Sequence, residues 1–244
     1  MRLFGLIGYP LGHSFSGKYF AEKFSRQGIA DARYELFPIP SMEQFPALWE
    51  DHPDLVGLNV TIPYKAAVIP FLDVLSPVVS GIGACNCVLR KEGKLYGFNT
   101  DVVGFDKTLD AAGDLPDGEA LVLGTGGASR AVDYVLARRG ISFRHVSRQP
   151  VGDDLHYDQL DHAVMDRCRL IINTTPLGMH PNVEEYPKIP YEAIGPGHLL
   201  IDLIYNPATT KFMEKGAAHG ARVANGGLML VEQAEESWRI WNAG

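Results

Sequence analysis

Cysteine is scarce in this chain of 244 residues. Cys85, Cys87 and Cys168 are an odd count with no Cys-x-x-Cys pair. That excludes a disulfide framework and a zinc ribbon, and the three read as reduced thiols, packed as small residues in a cytoplasmic protein. Positive charge is also short. Lys and Arg total 22 against 29 Asp and Glu, for a net charge of −7. A general nucleic-acid binder is excluded, while a local basic pocket for one phosphorylated small molecule is not. No apolar run approaches membrane-spanning length, so no membrane partner is expected. Met1-Arg2 leads into only five apolar or glycine residues before Gly8-Tyr9-Pro10, which does not read as a secretory leader. No two histidines stand four apart around a glutamate, so no metal is expected. Internal repeats and low-complexity tracts are missing too.

What is present is a folded α/β chain, 46% hydrophobic and 21% charged. In the first hundred residues, strand-like and helix-like segments alternate. "RLFGLIG", "ARYELFPI" and "LVGLNVTI" read as strands, the last stopped by Pro63. Residues 17–28 and "MEQFPALWED" read as helices, and "AAVIPFLDVLSP" as a helix interrupted by proline. "ACNCVLRKEGKLYGFNTD" is a hairpin turning at Glu92-Gly93. A helix, "VVGFDKTLDAAG", runs into the polar cluster "DLPDGE", which looks like a domain boundary. Beyond it, "ALVLGTGGASRAVDYVLARRG", "SFRHVSR", "LIINTTP" and "LLIDLIY" follow the βαβ grammar of a parallel sheet covered on both faces. The amphipathic helix "LMLVEQAEESWRIWN" closes the chain.

Two stretches pose chemical questions. In "GYPLGHSFS", Ser14 and Ser16 bring two hydroxyls to the start of a helix. Ser16 would cap the helix "GKYFAEKFSRQG", with Tyr19, Phe20 and Phe24 on its buried face and Gly28 ending it. A cap explains one serine well and the pair poorly, so both also read as ligand contacts. In "LVLGTGGASRA", Gly124-x-Gly126-x-x-Ser129 sits between a strand and a helix. The first glycine allows a tight turn and the second a close approach to a pyrophosphate, at a helix N-terminus that favours anions. The alternative is a tight strand-to-helix turn with no ligand. Ser147-Arg148 ends the next strand where an NAD site would carry an acid, which favours the 2′-phosphate of NADP. Asp153-Asp154 nearby would oppose that preference by folding back toward the ribose. Arg130 reads equally as a phosphate contact or a solvated surface residue.

The first half adds scattered polar groups. "NVTIPYK" ends a strand with Asn59, Thr61 and Lys65. "GACNCV" sets Asn86 among small residues, and "GFNTD" places Asn99, Thr100 and Asp101 before a helix. Singly, Asp101 is an ordinary N-cap and Lys65 a solvated lysine. Together they suggest a concave site with amide and hydroxyl donors and one acid–base pair.

"GYPLGHSFS", "NVTIPYK", "GACNCV", "GFNTD", "GTGGASRA", "INTTPLGM", "DLIYNP" and "GGLMLVEQA" occur in an order that resembles the shikimate dehydrogenases, over nearly the whole chain. The resemblance implies NADPH-dependent reduction of 3-dehydroshikimate to shikimate, on the route to aromatic amino acids. It implies an α/β substrate domain over 1–103, a Rossmann-type NADP-binding domain over 104–225, and a C-terminal helix, 226–244, returning to the substrate domain. The active site would lie in the cleft between the domains. Carried over by position, Ser14 and Ser16 would bind the substrate carboxylate, with Tyr205 near it. Asn59, Thr61, Asn86, Asp101 and Gln233 would surround the ring hydroxyls, and Lys65 and Asp101 would be the catalytic pair. Gly124, Gly126, Gly127, Ala128 and Ser129 match the phosphate loop. Arg148 matches the 2′-phosphate contact, and Thr174 and Met229 the cofactor side. Gln233 stands one helical turn after Met229, on the same face. Monomer and homodimer both fit.

The chain departs from the family at Gly17, usually proline, and at Cys87, usually threonine. Ser147-Arg148-Gln149 replaces Asn-Arg-Thr, with the frequent second basic residue missing. The boundary segment and residues 151–158 look short. The alternatives are a quinate/shikimate dehydrogenase that tolerates NAD, a folate-linked dehydrogenase of related architecture, and a binding or regulatory protein that lost turnover. The paired serines argue against the folate-linked enzyme, and the Lys65/Asp101 pair against loss of turnover.

Overall fold

The computed structural model describes residues 1–12 and 15–243. Its contacts divide the chain into two units, Met1–Thr100 with Ala234–Gly244, and Asp101–Gln233.

In the first unit, β1 (Arg2–Gly8), α1 (Phe15–Gln27), β2 (Ala32–Pro38), α2 (Phe45–Asp51) and β3 (Leu55–Val60) form an alternating run. β1 pairs in parallel with β2 and with β3. Then come β4 (Val74–Leu75), α3 (Pro77–Ile82), β5 (Cys87–Lys91) and β6 (Lys94–Phe98). The six strands lie in the order β2-β1-β3-β5-β6-β4. The β5–β6 hairpin turns at Glu92-Gly93, both at positive φ as a type I′ turn requires. One apolar core, with Leu3, Ile7, Phe45, Leu55 and Leu58, packs around this sheet. A second joins Phe4, Phe20 and Leu89 to Ala234, Ile240 and Trp241 of the last helix. Trp241 stacks on Phe4 at 4.9 Å between centroids, and its indole donates to the Val88 carbonyl at 3.0 Å. These contacts hold the end of the chain in the first unit.

The second unit contains α4 (Asp101–Ala111), β7 (Ala120–Leu123), α5 (Ser129–Arg138), β8 (Phe143–Ser147), β9 (Leu155–His156) and α6 (His162–Arg167). It continues with β10 (Leu170–Asn173), β11 (Leu199–Asp202), α7 (Lys211–Ala218), β12 (Arg222–Ala224) and the start of α8 (Gly227–Asn242). Its strands are all parallel, in the order β12-β11-β10-β7-β8-β9. Strand order therefore reverses between β7 and β10, the place where such sheets take ligands. Arg222 donates to the carbonyls of Ala112 and Asp114, so the polar cluster 114–119 is clasped inside this unit.

Two expectations are corrected. Residues 66–76 contain no α-helix, and α3 begins only at Pro77. A single 3-10 turn, Ile69–Phe71, precedes β4. Pro70 removes an amide from the segment. Tertiary pairing then takes over, with Asp73 and Ser76 bonding to Leu95 and Gly97 of β6. Second, α1 begins at Phe15, so Ser16 lies inside its first turn and is not the cap. Ser14 lies outside the described residues. Among the described residues no helix is long and apolar enough to cross a membrane.

Candidate active site

In the first unit, the C-terminal ends of the strands gather five of the residues singled out in the sequence. Asn59 is the last residue but one of β3, Thr61 and Lys65 occupy the turn beyond it, Asn86 precedes β5, and Ser16 is on α1. Pro63 lies in the turn that carries Lys65, which is half-buried, with its carbonyl accepting from the Cys85 amide at 2.7 Å.

Asn59 and Asn86 are 5% and 2% exposed, and every polar atom of their amides has a partner. Asn59 Nδ2 donates to Ser237 Oγ at 2.8 Å and to the Asn86 carbonyl at 3.3 Å, and its Oδ1 accepts from the Tyr34 phenol at 2.9 Å. Asn86 Nδ2 donates to Thr100 Oγ1 at 3.0 Å, and its Oδ1 accepts from the Thr100 amide at 2.6 Å. Thr100 Oγ1 lies 3.2 Å from Ser237 Oγ. Tyr34 lies beside Ser16, and its pKa is held well above that of an ordinary phenol, chiefly by burial. Burial likewise pushes the Cys87 thiol up, so it stays neutral beside Ser237. Tyr34 and Ser237 were not foreseen. Each is far in sequence from the motifs it serves, and no spacing marks it.

The second unit carries the remaining candidates. Asp101 is buried and is the first residue of α4. Gly104, one turn on, lets α8 approach: a Cβ there would stand 2.5 Å from the Met229 carbonyl and 3.3 Å from Gln233 Cβ. Met229 and Gln233 thus share the face of α8 that packs on α4, as their spacing implied. Tyr205 is 40% exposed in the loop after β11. Asp202 anchors that loop, accepting from Asn173 Nδ2, Thr210 Oγ1 and the Ile204 amide. Burial pushes its pKa up to about 6, against the pull of those three donors.

A cleft of about 540 Å³ opens at the β7/β10 reversal, lined by Gly124, Gly126, Ser147, Arg148, Tyr157, Thr174, Tyr186 and Lys188, among others. Gly124 adopts φ +100°, and a Cβ there would press on Thr175 at 2.9 Å and Thr174 at 3.0 Å. Only glycine serves at that turn. Gly126 and Gly127 have open space where a Cβ would be, leaving backbone free to face a pyrophosphate. Ala128 precedes α5 and Ser129 begins it. The Ser129 hydroxyl turns inward to the Gly126 carbonyl at 2.7 Å, so it braces the loop. Thr174 Oγ1 donates to the Leu123 carbonyl. Asp153 and Asp154 do not line the cleft, and the Asp154 carboxylate instead accepts from the Val151 amide. Tyr157, Tyr186 and Lys188 also line it and were missed, since they come from irregular segments without a motif. The residues present fit a dinucleotide with an anionic ribose substituent near Arg148.

A family model described as the substrate binding domain of shikimate dehydrogenase matches residues 6–88. The shikimate dehydrogenase (NADP+) of Halothermothrix orenii is 36% identical over 98% of this chain and 90% of its own. A solved shikimate 5-dehydrogenase from Thermus thermophilus, in complex with NADP(H) and shikimate, superposes with a TM-score of 0.85. It is 33% identical, over 100% of this chain and 94% of that one. The shikimate 5-dehydrogenase of Listeria monocytogenes, solved with shikimate and NAD, gives a TM-score of 0.88 at 26% identity, over 100% and 92% of the two chains.

Proposed function

This chain belongs to the shikimate dehydrogenase family of oxidoreductases, and on that premise we propose that it reversibly reduces 3-dehydroshikimate to shikimate with NADP(H), using Lys65 and Asp101 as its acid–base pair. The observation that carries this reading is the cleft at the strand-order reversal. There a turn open over Gly126 and Gly127 meets Arg148, and the carboxylates of Asp153 and Asp154 stand elsewhere. A guanidinium suits a phosphate dianion, and a carboxylate at that position would repel it.

When bound, the reduced nicotinamide supplies the hydride for the ring carbonyl carbon. The carbonyl oxygen then needs one proton. Lys65 is the donor in this reading, and in the oxidative direction it takes the proton back from the hydroxyl. Asp101 is its proposed partner in the proton transfer. Asn59, Thr61, Asn86 and Gln233 orient the ring hydroxyls, which fixes the face presented for reaction. Ser14, Ser16 and Tyr205 hold the carboxylate, which does not react. Gly124, Gly126, Gly127, Ala128 and Ser129 shape the phosphate turn, with Thr174 and Met229 on the cofactor side.

The test is an absorbance assay at 340 nm with shikimate and either NADP+ or NAD+. Turnover with NADP+ exceeding that with NAD+ is the expected result. A purified, folded protein that oxidises shikimate with neither cofactor overturns the reading.

A further inference from the structure

The Asn59 amide can sit in only one sense. Two of its three partners, the Tyr34 phenol and the Ser237 hydroxyl, can each donate or accept. The Asn86 carbonyl can only accept, and it lies 3.3 Å from Nδ2. A rotated amide would set Oδ1 against that carbonyl, acceptor against acceptor. Nδ2 therefore spends its two hydrogens on Asn86 and Ser237, and Oδ1 takes the Tyr34 proton. One lone pair of Oδ1 remains to meet a hydroxyl donor.

We infer that Tyr34 and Ser237 are positioning residues of the substrate site, fixing the Asn59 amide so that its oxygen faces a ring hydroxyl. The inference rests on the proposed role of Asn59 in binding shikimate. Ser237 is fully buried and bridges Asn59 to Thr100, and through Thr100 to Asn86. Tyr34 donates to Asn59 Oδ1 at 2.9 Å. Ser237 thus joins two of the proposed substrate contacts, and Tyr34 fixes the oxygen of one. Packing alone does not account for a fully buried serine whose hydroxyl meets Asn59 and Thr100. An unpaired hydroxyl there would be costly, and a paired one orders its partners.

The test compares Tyr34→Phe, Ser237→Ala and Ser76→Ala. Ser76 caps α3 in the same unit and lies outside this web. Tyr34→Phe and Ser237→Ala are expected to raise KM for shikimate about two- to tenfold, the span of one hydrogen bond's net worth. kcat should stay within about twofold, and KM for NADP+ should not move, because the lost order affects ground and transition states alike. Ser76→Ala should lower the melting temperature with no change in KM. Unchanged KM for shikimate in both Tyr34→Phe and Ser237→Ala, or a fall in kcat alone, overturns the inference. Wild-type enzyme that does not turn over shikimate would instead overturn the functional reading itself, so the two failures are distinguishable.

Discussion

Asn86 and Thr100 are locked to each other by reciprocal bonds, the Asn86 amide donating to the Thr100 hydroxyl while accepting from the Thr100 backbone amide. Both are at most 2% exposed. The lock fixes the chain where the first unit ends, at Thr100. Thr100→Val keeps the shape and the backbone bond but strips Asn86 Nδ2 of its acceptor. A buried donor left unmatched costs about 1–3 kcal/mol. The variant should melt several degrees below wild type by calorimetry. A melting temperature within a degree of wild type would show that the hydroxyl carries little of the lock.

Lys65 is the group whose loss should be felt in chemistry more than in binding. Its position in the turn after β3 makes it the proposed proton donor to the carbonyl oxygen. General acid–base residues contribute roughly 10²–10⁴-fold in rate. Lys65→Ala should therefore lower kcat by about that factor, with KM for shikimate changed only a few-fold. Near-wild-type kcat would remove Lys65 from the catalytic role.

Arg148 should set the choice between cofactors. A charge-assisted bond to a phosphate is worth roughly 1.5–3 kcal/mol, or a factor of ten to a hundred and more. Arg148→Ala should reduce the NADP+/NAD+ ratio of kcat/KM by that order, mainly through KM for NADP+. The cleft is not wholly cationic. Glu184 and Glu185 also line it, with Lys211 within 3.8 Å of Glu184. If the ratio is unmoved by Arg148→Ala, the discrimination comes from another part of that lining.

Some of this was legible in the chain because the chemistry is local. A strand, Gly124-x-Gly126 and a helix in immediate succession define the phosphate turn without outside help. Glu92-Gly93 similarly defines a hairpin. Residues 66–77 misled because their apolar spacing suits a helix, while the pairing of Asp73 and Ser76 with β6 depends on a strand some twenty positions later. Asn59, Thr61, Lys65 and Asn86 stood out as polar groups at strand ends. Tyr34 and Ser237 did not, because Ser237 reaches Asn59 across 178 positions. Burial of a hydroxyl against a partner that distant is a property of the folded core. In sequence, Ser237 is one small residue in an amphipathic helix.

The glycine turn has a pH-sensitive brace that no motif announces. His145 on β8 places Nδ1 3.1 Å from the Gly124 carbonyl and Nε2 3.2 Å from Asp133 Oδ2 on α5. Both partners are acceptors, so only the doubly protonated ring satisfies both. The bond to Asp133 accordingly raises the His145 pKa above its usual 6.5, against partial burial. The sign follows from the raised value: the folded state holds the proton more tightly than the unfolded chain. The stabilisation is full below pH 6.5 and is lost as pH rises through the folded-state pKa, at ~1.4 kcal/mol per unit of difference. Asp133→Asn removes the carboxylate and keeps the shape. The wild-type advantage in melting temperature over this variant should be widest near pH 6 and narrow steadily toward pH 8. An NMR titration of the His145 ring should give a pKa above 6.5 in wild type and a lower one in Asp133→Asn. Equal pKa values in the two proteins would show that the brace is not an ion pair, and that the Gly124 turn is held by its own backbone geometry.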